Sequence, residues 1–134
     1  MILAHGYQGC PDDLCMLANG FKRKYKKTKY HTLKSYCNRM DLSIAAMSEL
    51  AVKEIDKYLE SITLKDKKYR VVMIGHSMGG LVLRLAANQI KQKELLYGYI
   101  SLGTPHLGYL QGLKLHIRAG LSFFSNIYSN PCLD

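Results

Sequence analysis

The chain has 134 residues, the size of one compact domain and too few for two. Hydrophobic residues at 48% and charged residues at 22%, with only 11 glycines and 3 prolines, exclude collagen-like, low-complexity and disordered classes. Basic residues outnumber acidic ones 19 to 10, for a net charge of +9, and no apolar run approaches the roughly 18 residues a membrane-spanning helix needs.

Met1–Ala4 reads as the end of an apolar strand and runs into the glycine-punctuated loop His5-Gly6-Tyr7-Gln8-Gly9. Pro11 suits a first helical position, and Asp12 and Asp13 place carboxylates in a first turn where the helix dipole favours them. Leu14, Leu17, Ala18, Phe21 and Tyr25 then recur at helical spacing. Tyr30–Tyr36 is short and rich in β-formers, a predicted strand. Asp41–Ser61 carries Ile44, Met47, Ala51, Ile55, Tyr58 and Leu59 on one side, a long amphipathic helix. Arg70–Gly75 is uniformly apolar after its first residue, as a central parallel strand covered on both faces should be. Helical spacing resumes over Leu81–Ile90, and Tyr97–Leu102 is a further strand. The apolar stretch Leu110–Ile127 is expected to be helical in part. Strands alternating with helices predict an α/β class: an open, mostly parallel sheet with helices on both faces, in one domain spanning 1–134. Ligands in such sheets bind beyond the carboxyl ends of the strands, where both glycine-rich loops fall.

Seven basic residues lie between Lys22 and Lys34, and Lys22–Lys29 contains no acid. A solvated helix end and loop accounts for this charge, because lysines suit the negative end of a helix dipole. An anionic membrane surface is the partner such a segment would otherwise draw; nucleic acid is not expected, since no base-stacking or zinc-finger pattern accompanies it. Cys10, Cys15, Cys37 and Cys132 make no Cys-x-x-Cys pair, so a zinc site is not expected; a reduced, intracellular state is the default and a secreted one the alternative. Only Met1–Ala4 precede the first polar residue, so no signal peptide is legible, and a cytoplasmic or peripheral-membrane location is expected.

Gly75-His76-Ser77-Met78-Gly79-Gly80 fits G-x-S-x-G, and it follows the most apolar strand and opens a helix. A serine held at a tight strand-to-helix turn adopts an unfavourable backbone, costing roughly 1–3 kcal/mol, and needs neighbours without Cβ atoms two positions away. Gly75 and Gly79 supply that room. Such a turn lifts the hydroxyl from the sheet edge and aims the next helix's first N–H groups at an oxygen that becomes negative during acyl transfer. A backbone N–H at Tyr7, in the loop after the first strand, would join that of Met78.

With Ser101-Leu-Gly-Thr-Pro-His-Leu-Gly108, these segments resemble the eukaryotic serine esterases, a lipase-like family of α/β-hydrolases with an HGxxG loop, a GHSMGG or GHSLG turn and a GTPHLG segment. All three occur in order, over Ala4 to about Leu110. The resemblance implies a serine hydrolase of carboxylic esters, lipid acyl esters among them, working without metal or organic cofactor. It makes Ser77 the nucleophile and the Tyr7 and Met78 amides the oxyanion hole, and it sets His106 and Leu107 in a loop beside the substrate.

The chain departs from that fold's order, in which an acid and then a histidine follow the serine. After Ser77 the acids are Glu94 and Asp134, with no histidine after Asp134. His106 is the nearest candidate base, but its counterpart in the family is not the triad histidine; it and His116 are expected to be structural, and His5 and His76 to brace loops. Both ends of the fold are therefore expected to be missing, as in a piece of a longer polypeptide. Leu107–Phe124 either packs on the sheet or forms part of an acyl-binding wall. The rival to an esterase is a catalytically incomplete, hydrolase-derived binding module that meets a membrane or protein through its basic segment.

Overall fold

A computed structural model describes residues 1–39, 41–62 and 69–108. The expected helix over Leu110–Ile127, and with it His116, Cys132 and Asp134, lies outside the described residues. Four strands, β1 (Ile2–Ala4), β2 (His31–Thr32), β3 (Val71–His76) and β4 (Leu96–Leu102), form one sheet in the order β2-β1-β3-β4. Every pairing is parallel, with Ala4 opposite Gly75 and Gly75 opposite Ser101. Parallel neighbours need crossovers, and three helices supply them: α1 (Cys15–Lys24), α2 (Ile44–Ile62) and α3 (Met78–Ala86).

The period of two along each strand divides the core into two layers. Ile2, Ala4, Val71 and Met73 face one side, where they pack with Met47, Ala51, Ile55 and Leu59 of α2 and Val82, Leu83 and Ala86 of α3. Leu3 and Ile74 face the other, against Leu14 and Ala18. The result is the expected α/β architecture, a parallel sheet between helical layers, with β1 and β3 at its centre.

Element boundaries differ from the expectations where distant or polar groups intervene. β2 stops at Thr32 instead of running to Tyr36. The Leu33 amide still donates to Leu3 O at 2.8 Å, but the Glu54 carboxylate on α2 takes the amides of Lys34 (3.0 Å) and Ser35 (2.8 Å) and draws the chain off the sheet. Pro11–Leu14 is a separate 3-10 turn before α1, because Asp13 folds back to accept the Cys10 amide at 2.8 Å. Ser43 Oγ accepts the Ala46 amide at 3.2 Å, so α2 starts at Ile44; Asp41, expected inside the helix, pairs instead with Arg39. α3 begins three residues before the expected Leu81, immediately after Ser77, and its last turn tightens at Asn88 and Gln89, whose amides bond three residues back.

Candidate active site

Ser77 sits between the last residue of β3 and the first of α3, with φ 52° and ψ −127°. That left-handed backbone is held at both ends. Its N–H donates to Leu102 O (2.8 Å), extending the β3–β4 ladder by one bond, while its carbonyl accepts from Gly80 N (3.1 Å) and from the Thr104 hydroxyl (2.9 Å). Such over-determination is what lets a strained residue persist. Close approach explains the glycines around it. A Cβ at Gly79 would overlap the carbonyl oxygens of Ala4 and His5, and one at Gly75 would overlap the Gly80 backbone. The start of α3 therefore lies directly on the end of β1.

This packing brings the 5–9 loop to the serine. A Cβ at Gly6 would stand 2.9 Å from Ser77 Cβ. Gly9 N closes the loop on Gly6 O at 3.1 Å, and Gln8 takes a positive φ of 54° at the turn. Between the loop, the 3-10 turn and the serine opens a cavity of about 280 Å³, lined by Gly6, Tyr7, Gly9, Asp13, Leu14, His76 and Ser77. Ser77 is half-buried there and Met78 is buried, and the Met78 amide is one of the first N–H groups of α3, which have no acceptor within their own helix.

Residues 1–131 match the family described as Putative serine esterase (DUF676). The chain belongs to that family. Among solved structures it is similar to YbtT, titled the Type II thioesterase from the Yersiniabactin NRPS/PKS biosynthetic pathway, with a TM-score of 0.55 and 17% identity over 96% of this chain. At that identity the likeness concerns the fold. The chain spans about half of that protein, 51% of its length.

Within this serine esterase family member, the described histidines fall in different places. His5 is buried, its ring 4.6 Å from that of Tyr36 and its Nδ1–H donating to Gly6 O at 3.1 Å. His31 lies far from Ser77, in register with Ile2, and binds Glu54 at 2.7 Å. His76 is exposed at the cavity wall. His106 has both ring nitrogens engaged: Arg84 donates to Nδ1 at 3.2 Å, which leaves Nε2–H to donate to Ser101 Oγ at 3.0 Å. Neither His106 nor Leu107, which is 83% exposed, lines the cavity. Three residues contribute without a local signal in the sequence. Asp13 reads as part of a helical first turn and Leu14 as part of that helix's apolar face, and the spacing of the segment that holds Thr104 gives this residue no role. The glycine at position 80, on which the Thr104 side chain lies, was its one available signal.

The Lys22–Lys29 segment lies elsewhere. Lys22, Arg23, Lys24, Lys26, Lys27 and Lys29 are all exposed, and among the described residues none forms an ion pair; Lys22 and Lys24 lie instead over the rings of Tyr30 and Tyr25.

Proposed function

We propose that this protein is a serine-dependent carboxylic ester hydrolase acting on lipid acyl esters, with Ser77 as nucleophile. The supporting observation is the strained Ser77 turn, packed against the Gly6 loop at the mouth of a cavity of about 280 Å³. Ser77 Oγ bonds to the acyl carbon as its proton passes to a base. The carbonyl π electrons move to oxygen, and the resulting oxyanion is held by the amides of Tyr7 and Met78. Collapse expels the alcohol, which takes the proton from the base, and leaves an acyl-enzyme that water converts to the free acid. His31 binds Glu54, both ring nitrogens of His106 are taken, and His5 spends Nδ1–H on Gly6 O; with His76 read as a brace for the loops, the proposal takes its base and orienting acid from outside the described residues. It further assigns the basic segment Lys22–Lys29 to contact with an anionic membrane surface.

The test is fluorophosphonate labelling of the complete open reading frame beside its Ser77→Ala variant. Labelling of the wild type that is lost in the variant supports Ser77. Labelling that survives in the variant removes Ser77 from the mechanism, and a wild type that never labels favours the binding module.

A further inference from the structure

We propose that Tyr36 is a positioning residue for the oxyanion-binding loop, aligning the Tyr7 amide through His5. This rests on the function proposed above and assigns a role to a side chain that comes from a different part of the fold. Tyr36 follows β2, 31 residues from His5, and only 1% of its surface is exposed. Its hydroxyl donates to His5 O at 3.0 Å, and its ring lies 4.6 Å from the His5 imidazole, tilted by 35°. Both the carbonyl and the ring of His5 are thereby located. The imidazole then uses Nδ1–H to hold Gly6 O, which also accepts from Gly9 N.

Peptide planarity completes the linkage. Gly6 C=O and Tyr7 N–H belong to one trans peptide and point in opposite directions, so fixing the oxygen fixes the hydrogen. Two donors on Gly6 O thus set the direction of the Tyr7 amide, and Tyr36 sets one of those donors. An oxyanion donor is effective only when aimed beforehand at where charge develops. Burial, reinforced by the Glu54 carboxylate and Cys37, pushes the Tyr36 phenol well above its usual range, so it remains a donor throughout the working pH range.

The experiment compares wild type and Tyr36→Phe in the complete open reading frame, using p-nitrophenyl butyrate and a trifluoromethyl ketone whose adduct with Ser77 is a tetrahedral oxyanion. Rates are expressed per fluorophosphonate-titrated site, so unfolded molecules do not count. Expected are a kcat lower by roughly tenfold, a fraction of the 10²–10³ that loss of a whole donor costs, a KM within about twofold, and a ketone inhibition constant weakened by the same factor as kcat. Isosteric replacements guard against a variant that fails to fold: p-aminophenylalanine at 36 keeps a donor and should restore kcat, whereas p-fluorophenylalanine should not. Equal kcat for those two, or unchanged kcat and ketone affinity in Tyr36→Phe, overturns the role of Tyr36 while leaving Ser77 in place. A wild type that neither labels nor turns over overturns both readings.

Discussion

The same chemical change, glycine to alanine, should act with opposite sign at two helical positions. Gly79 lies in the first turn of α3, where a Cβ would overlap the carbonyl oxygens of Ala4 and His5; these are backbone atoms of a central strand and its loop and cannot rotate aside. Gly79→Ala should therefore cost about 3 kcal/mol or more, or force α3 away from β1 and open the Ser77 turn. Gly20 lies in α1 with nothing within 4 Å of its potential Cβ. There the added methyl removes freedom from the unfolded chain, so Gly20→Ala should stabilise by about 0.5–1 kcal/mol. Chemical denaturation of both variants checks the pair, and a Gly79→Ala protein as stable as wild type would contradict the close packing. Both positions read simply as glycines in the sequence, yet only one reads as required, because G-x-S-x-G ties Gly79 to a turn. That explains why the Ser77 turn was legible: an apolar strand, a strained residue and a helix start are all encoded within about ten residues. The partners of His106 were not, since Arg84 and Ser101 come from two other elements.

Among elements, β2 shows how a distant side chain decides a boundary. Its β-forming residues continue to Tyr36, but Glu54, about twenty residues further along on α2, accepts the Lys34 and Ser35 amides and the His31 ring. Nothing local announces this, so the strand length was not legible, although the class, strand order in sequence and central position of β3 were. The same carboxylate supplies a pH dependence. Burial pushes the Glu54 carboxyl up, but hydrogen bonds from His31, Ser35 and Lys34 outweigh it and hold the value at about 2, against an ordinary 4.5. A folded-state value below the unfolded one means the stabilisation is complete above about pH 4.5 and is lost as pH falls toward 2. Wild type should thus exceed Glu54→Gln in unfolding free energy by on the order of 2 kcal/mol near neutrality, a figure reduced for the partial exposure of the pair. The gap should close on acidification across that window. A gap independent of pH would show that packing of the side chain, and not its charge, anchors the 34–36 turn and with it Tyr36.

At the scale of the whole molecule, the two chemically distinct surfaces occupy opposite ends of the sheet. Ser77 follows β3 at the strands' carboxyl ends, whereas α1 starts near the 5–9 loop and runs back to deliver Lys22–Lys29 just ahead of His31, whose amide bonds Met1 O at the other end of β1. The ten residues of α1 alone separate these ends by about 15 Å. A bilayer held by the lysines would therefore leave the cavity facing water, and a lipid-derived ester would reach Ser77 from the aqueous side. Each basic residue near an anionic surface contributes roughly 1 kcal/mol, so replacing Lys24, Lys26 and Lys27 by Gln should weaken binding to phosphatidylserine-containing vesicles by about a hundredfold. Binding by the wild type should fall as salt rises, because exposed charges are screened within about 10 Å at 0.1 M. The half-exposed Tyr25, stacked on Phe21 among the lysines, adds an aromatic ring suited to the headgroup region. Vesicle co-sedimentation measures the affinity, and the fluorophosphonate reaction rate reports on the cavity at the same time. Binding with an unchanged labelling rate fits lysines and serine at opposite ends. Vesicles that bind and slow labelling would mean that the bilayer covers the cavity, and equal binding to neutral vesicles would remove charge as the attraction.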